Sequence, residues 1–274
     1  MTTPQISIVM PTLNQKQYVR RAIDSILTQP CPAEIIVVDG GSTDGSLEIL
    51  DSYGSAIRYI SEPDRGQSDA VNKGLKLATG EIIGWLNSDD VYKPDTFGHV
   101  QQAFVDPSVQ WIFGKVDVID SDDNEIRRWV TGRKNSTLQK LTFGKLLQAN
   151  WISSMGVFWR RDFQQQVGDL RQDYHLAMDY DWWLRFWKQS PGTFLNQTIA
   201  SFRMYGTSKS GSSFRAQLDE ACSIASQHAD GRFTSDLMRH RINRFLIEKL
   251  YDLNQVLAGT SRPPARLNSL PTAD

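Results

Sequence analysis

Short apolar runs rich in β-branched residues recur along the first hundred positions, at 6–10, 35–38, 57–60 and 82–86. None alternates polar with apolar, the pattern expected of strands buried on both faces. Amphipathic stretches separate them. Tyr18, Ala22, Ile26 and Leu27 fall on one face of the first, and Ala70, Val71, Gly74, Leu75 and Ala78 on one face of a later one. Such alternation predicts repeated βα units around a mainly parallel sheet, whose strand C-termini line one ligand-binding edge.

After about residue 105 the rhythm changes to longer runs, 111–119 and 126–130, read as strands of a second half added to the same sheet. Helical spacing returns at 179–187. From 237 to 257 a long amphipathic helix is expected, with Met238, Ile242, Phe245, Leu246, Leu250, Leu253 and Leu257 on one face. Its other face carries Arg239, Arg241, Arg244 and Lys249, either a solvated face or one for peripheral contact with an anionic membrane. The division expected is a catalytic domain over 1–211, a helical extension over 212–258, and a disordered tail over 259–274 that holds Pro263, Pro264 and Pro271.

Composition narrows the function classes. The 274 residues are 40% hydrophobic, and 30 Lys+Arg oppose 31 Asp+Glu, so no basic excess exists to collect a nucleic acid. Cys31 and Cys222 are far apart, without partners at metal-ligand spacing. No uncharged apolar run reaches the ~20 residues of a membrane span. The start, Met-Thr-Thr-Pro-Gln, lacks the basic and apolar regions of a secretion signal, so a cytoplasmic protein is expected, with the inner face of the membrane as its one candidate surface.

Four polar clusters follow predicted strands or open a predicted helix. Pro11-Thr12-Leu13-Asn14 reads as a turn, with Asn14 able to cap the next helix. In Asp39-Gly40-Gly41-Ser42-Thr43-Asp44-Gly45-Ser46 the glycines permit a sharp turn, and Asp39 would offer two free acceptor oxygens to a nucleobase imide or ribose hydroxyls. Asp44 and Ser46 also suit a helix cap. Neither dinucleotide nor P-loop glycine spacing is present. Asn87-Ser88-Asp89-Asp90 sets two carboxylates after a buried strand, either as caps or as a site for Mg²⁺ or Mn²⁺. Met178-Asp179-Tyr180-Asp181 opens a helix, where Asp179 fits a cap, a general base, or both.

The strings SIVMPTLNQ, EIIVVDGGSTDGS, NKGLKLATGEIIGWLNSDDVYKP and MDYDWWLRF resemble, in order and spacing, the family-two inverting glycosyltransferases of GT-A fold. The resemblance runs over residues 6–187 and stops short of the chain beyond about 212. It implies an α/β fold with a mixed, mainly parallel sheet flanked by helices. It also implies metal-dependent hexosyl transfer from a nucleotide-diphosphate sugar, with UDP favoured, to a hydroxyl on a glycan or lipid-linked acceptor in surface polysaccharide or glycolipid synthesis. On this likeness Asp39, Pro11, Thr12, Asn14, Asp69, Asn87, Ser88 and Lys209 form the donor-binding set, Asp89 is the metal ligand, and Asp179 is the base with Asp181 second.

Three positions depart from the pattern. Asn87 stands for the first acid of the metal motif, Met178 for the first acid of the catalytic pair, and Tyr205 for a histidine before the 205–213 loop, a candidate lid. These departures keep a non-catalytic nucleotide- or glycan-binding protein in view. A nucleotidyltransferase is disfavoured by the absence of a basic glycine-rich loop after strand one. Trp151, Phe158 and Trp159 read as core rather than as a sugar platform.

Overall fold

In the computed structural model residues 5–205, 214–229 and 234–245 are described. The first half is β1 (Ile6–Thr12), α1 (Val19–Leu27), β2 (Ala33–Asp39), α2 (Ser46–Asp51), β3 (Arg58–Ser61), α3 (Gln67–Leu77), β4 (Ile82–Trp85), β5 (Val91–Tyr92) and α4 (Thr96–Ala103). The second is β6 (Trp111–Ile119), β7 (Glu125–Ile126), α5 (Arg128–Leu138), α6 (Phe143–Gln148), β8 (Val157–Arg160), α7 (Arg161–Val167), α8 (Met178–Gln189), β9 (Thr193–Arg203) and α9 (Phe214–His228). A last described helix spans 235–245.

All nine strands form one sheet, ordered β3-β2-β1-β4-β8-β6-β9-β5 with β7 on β6. β1 pairs in parallel with β2 and β4, and β2 with β3, while the antiparallel β8 joins this half to β6. The non-alternating runs follow from the layers. Ile8 and Met10 point into a core with α1 and α4, whereas Val9, between them, points into a second core with α3 and α8. Both layers are tight. A Cβ on Gly74 would lie 2.4 Å from Val9 Cγ1, and one on Gly84 2.6 Å from Phe158 Cε1, so both helix and strand approach at glycine distance.

Phe158 and Trp159 are fully buried, Trp159 stacking edge-on to Trp182 at 5.0 Å, which agrees with their reading as core. α9 packs on α8 through Ala221, Ile224 and Ala225 within the same core, so the chain after the second half continues that layer.

Several local expectations need correcting. Leu27 is 44% exposed, because the buried stripe of α1 runs through Val19, Ala22, Ile23 and Ile26. The strand expected at 126–130 ends at Ile126. Arg127 takes a left-handed conformation and α5 begins, with Trp129 77% exposed. In the last helix Leu237 and His240 turn inward while Met238 and Ile242 are half exposed. Lys209, the 206–213 part of the candidate lid, the rest of the 237–257 helix and the 259–274 tail lie outside the described residues. No described helix is long and apolar enough to cross a membrane.

Candidate functional site

The C-terminal ends of β1, β2 and β4 lie side by side, with Thr12 opposite Asp39 and Val9 opposite Trp85. Pro11 sits past the last β1 residue paired with β4, so its missing N–H removes no ladder bond there. Asn14 does not cap α1, whose N-cap is Tyr18. It adopts φ 53°, a left-handed conformation asparagine tolerates. There its N–H donates to Ser42 Oγ at 2.7 Å and its Oδ1 accepts from Thr43 N at 2.9 Å, joining the two loops.

Asp39 is fully buried and its oxygens are not free. Oδ2 accepts from Gly41 N at 3.0 Å, Ser42 N at 2.9 Å and Ser61 Oγ at 2.7 Å, and Ser42 Oγ donates to Oδ1. This corrects the picture of an acceptor presented bare at the strand end. Its oxygens are spent on shaping the glycine turn, a carboxylate satisfied from inside. The N-cap of α2 is Gly45, not Asp44; Asp44 stands one residue before it and accepts from Ser46 N at 2.9 Å, and its other oxygen accepts from Lys16 N. Thr12 Oγ1, by contrast, is buried without a hydrogen-bond partner among the described residues, a polar atom left for a ligand.

Asn87 is held from both ends. Its Oδ1 accepts from Gln67 Nε2 at 2.8 Å and Trp85 Nε1 at 2.9 Å, and its Nδ2 donates to Asp90 Oδ2 at 3.0 Å. Asp90 is fully buried, and burial together with the Asp89 charge pushes its carboxyl well above the usual range. Its other oxygen accepts from Arg203 N at 2.8 Å. A carboxamide at 87 supplies a donor where a second acid would repel. Asp90 is therefore structural, and Ser88 beside it is buried.

Asp89 is the less buried of the pair and bonds to Tyr205, which lines the neighbouring cleft. Burial raises its carboxyl, and its Oδ2 accepts from the Tyr205 hydroxyl at 2.9 Å. Arg203, fully buried, fastens this end of the site: Nε donates to Asp89 O at 2.7 Å, one terminal nitrogen to Asp120 O at 2.8 Å, and the guanidinium lies over Tyr18 at 4.8 Å. A cleft of about 640 Å³ opens beside them, lined by Asn14, Gln15, Lys16, Tyr18, Asp44 and Tyr205. Gln15 donates to the Tyr205 oxygen at 3.3 Å.

Among the described residues no three His, Cys, Asp or Glu side chains gather as a metal cage. A single carboxylate such as Asp89 fits a hard cation whose other ligands are phosphate oxygens and water. It does not fit a metal held by the protein alone.

Asp69, in the first turn of α3, is 7% exposed and already engaged. Burial opposes its charge, but the Arg65 N–H, Lys73 and Arg65 outweigh it and hold the carboxyl below its usual range. Gln172 also donates to it at 3.2 Å. The same helix ties the region together through Gln67 on Asn87 and through Asn72 Nδ2 on Leu170 O at 2.8 Å.

Asp179 stands at the start of α8, where Asn150 Nδ2 contacts its two oxygens at 3.2 and 3.3 Å. Burial pushes its carboxyl up to about 6, against the pull of Asn150, the Tyr180 N–H and Lys134. Lys134, on α5, donates to Ser153 Oγ at 2.7 Å, and burial pushes its ammonium down to about 8 while Asp179 opposes the shift. A carboxylate poised near neutrality beside a cation is suited to taking a proton. Asn150 Oδ1 is buried without a partner among the described residues.

Asp181 has another use. It is 1% exposed, and Arg185 Nε at 2.9 Å and His228 Nε2 at 2.8 Å grip its two oxygens. Burial opposes its charge, yet the His228 hydrogen bond and Arg185 prevail and hold the carboxyl below its usual range. It clamps α8 to α9, a geometry that leaves the second-choice base without a free oxygen.

Sequence reasoning missed Lys134, Asn150 and Gln15. Lys134 lies in a stretch of ordinary polar helix, and no local pattern marks it.

The family model for glycosyl transferase family 2 matches residues 7–165. A PGL/p-HBAD biosynthesis glycosyltransferase of Mycobacterium tuberculosis is 30% identical over 217 residues, 75% of this chain and 79% of that one. An uncharacterized glycosyltransferase of Rickettsia felis is 29% identical over 227 residues, 81% of this chain, which spans only 37% of its length. Among solved structures, a mannosyltransferase of Pyrobaculum calidifontis in complex with GDP-Man and Mn²⁺ superposes with TM-score 0.64 at 18% identity, over 96% of this chain and 77% of that. S. aureus TarS 1-349 in complex with UDP-GlcNAc gives 0.61 at 15%, over 86% and 69%. The sheet and its helices are thus a GT-A fold, and the chain belongs to glycosyl transferase family 2.

Proposed function

We propose that this protein transfers a hexose-type sugar from a nucleotide-diphosphate donor to an acceptor hydroxyl with inversion, Asp179 serving as general base. The observation that carries the reading is the Asp179 carboxyl raised to about 6 beside Lys134 and Asn150. The acceptor oxygen bonds to the anomeric carbon from the face opposite the leaving group. Its proton passes to Asp179, and the electron pair of the breaking C–O bond departs with the nucleoside diphosphate. Lys134 stabilises the ionised base before the transfer, and Asn150 holds the carboxylate in one orientation.

The donor lies along the strand ends. Thr12 Oγ1 supplies an unpaired polar atom, Asp39 holds the turn in shape, and the Asn14–Ser42–Thr43 bridge fixes the rim. Asp89 would hold a Mg²⁺ or Mn²⁺ ion arriving with the donor, which would offset charge on the departing diphosphate. A UDP-sugar is favoured by the TarS complex with UDP-GlcNAc, and GDP-mannose, bound by the Pyrobaculum enzyme, is the alternative. A role in glycolipid or surface polysaccharide synthesis agrees with the name of the mycobacterial relative.

Thermal unfolding with UDP or GDP, with and without Mn²⁺, tests the donor assignment. One nucleotide should raise the midpoint in the presence of the cation, and this rise should vanish in Asp89→Ala. No shift with either nucleotide contradicts the reading and moves the non-catalytic alternative forward.

A further inference from the structure

A second cleft, of about 470 Å³, lies between α5, α6 and the helix over 235–245, and the transfer chemistry above makes no use of it. Its wall carries Arg133, Lys140 and Lys145 around the Trp151 ring, with Thr137 and Asn243 beside them. No carboxylate lines it among the described residues. Asp236, on the adjoining helix, is engaged by Gln148 Nε2 at 2.8 Å. Lys145 Nζ donates to Lys140 O at 2.8 Å, which fixes its ammonium at the wall. Arg133 and Lys140 are exposed and have no ion-pair partner among the described residues. Three cations around a concavity without an acid repel one another, and an anion seated there removes that cost.

Two lining residues are chain neighbours of groups that act on the base: Arg133 precedes Lys134, whose charge interacts with Asp179, and Trp151 follows Asn150, which holds the Asp179 carboxylate. Asn150 Oδ1 is buried and unpartnered among the described residues, an acceptor for an incoming hydroxyl. Trp151, expected from the sequence to be core, packs against the core but is only partly buried and lines the cleft, and its Nε1 bond to Lys145 O at 3.0 Å fixes the ring it offers to a sugar.

We propose that this cleft binds a phosphate group carried by the acceptor, placing the acceptor hydroxyl at Asp179. The assignment rests on Asp179 as the base and adds the acceptor's chemical class. Arg133 and Lys140 contact the phosphate oxygens, Lys145 and Thr137 complete the donors, and Trp151 covers a sugar ring between phosphate and hydroxyl. The phosphate comes from a soluble sugar phosphate or from a lipid headgroup, and its oxygens present the same face to the cleft.

The test titrates the full-length protein with glucose 6-phosphate and with glucose, and sediments it with phosphatidylcholine vesicles with or without phosphatidate. Arg133→Gln and Lys140→Gln, both surface changes, are compared with Lys76→Gln on the exposed side of α3. The phosphate-bearing probe should bind more tightly than its neutral partner, and each cleft substitution should erase roughly tenfold of that preference while Lys76→Gln does not. Preference for glucose 6-phosphate assigns a soluble acceptor, and preference for phosphatidate vesicles alone assigns a lipid-borne one. Equal binding of charged and neutral probes, or equal effects of Arg133→Gln and Lys76→Gln, overturns the proposal. UDP and GDP binding with Mn²⁺ is measured in parallel. Nucleotide binding without phosphate preference refutes the cleft alone, whereas phosphate preference without nucleotide binding refutes the transferase reading and with it the acceptor role.

Discussion

The Tyr205 hydroxyl donates to Asp89 Oδ2 at 2.9 Å, across 116 residues of sequence. The residue that takes the place of the family's histidine therefore steadies the carboxylate assigned to the cation, and itself lines the cleft. Tyr205 also packs on Tyr18 at 4.9 Å, a contact phenylalanine keeps. Tyr205→Phe should thus lower unfolding stability by about 1 kcal/mol through the lost hydrogen bond alone. Denaturant unfolding checks this, and an unchanged midpoint would show the bond to be energetically idle.

Asn87→Asp restores the acid of the family motif, yet the geometry predicts a penalty. Asp90 would lose the 3.0 Å Asn87 donor and gain a like charge in a fully buried position. A loss of about 2 kcal/mol is expected without cation. Mn²⁺ should recover part of it, because the added carboxylate gives the cation a second ligand. A variant as stable as the parent in chelator would contradict the structural account of Asn87.

The pH dependence follows from the Asp179 carboxyl at about 6. A base works only when ionised, so kcat/KM should rise through that region and level off above it. Lys134 holds the carboxyl down, so Lys134→Met should move the acidic limb to higher pH. A pH–rate profile with an unmoved or lowered limb would remove Lys134 from its role as a positioning residue.

Asp181→Asn should act on stability. Removing one partner from a buried ion pair leaves the others uncompensated, a loss of about 3 kcal/mol. The sign with pH is fixed by its depressed carboxyl: the stabilisation is present above the unfolded-state value and is lost as pH falls through the lower folded-state value. Unfolding measured at neutral and acidic pH should therefore show the parent and variant converging in acid. A constant gap would contradict the clamp.

The parallel half of the sheet was legible because Ile8, Val9 and Met10 serve cores on both faces, which forces uninterrupted apolar runs. Residues 126–130 misled because two apolar residues, Trp129 and Val130, face solvent, so apolarity there reports no sheet neighbour. At the site, residue type at the strand ends and at one helix start singled out Asp39, Asp89 and Asp179 as candidates. It could not reveal which oxygens are already satisfied, since beside local partners Asp39 and Asp181 each take one from Ser61 and His228, positions distant in sequence. Lys134 was invisible for the same reason: its importance lies in the contact that folding makes with Ser153 and the field of Asp179.

The most direct test of the central claim is single-turnover transfer by Asp179→Asn, with nucleotide binding measured on the same sample. The carboxamide preserves shape and cannot take the proton, so transfer should fall by about three orders of magnitude or more while nucleotide affinity stays at the parent level. Transfer at the parent rate by a variant that binds nucleotide normally would show that another group accepts the proton, and the account of Asp179 as the base would be wrong.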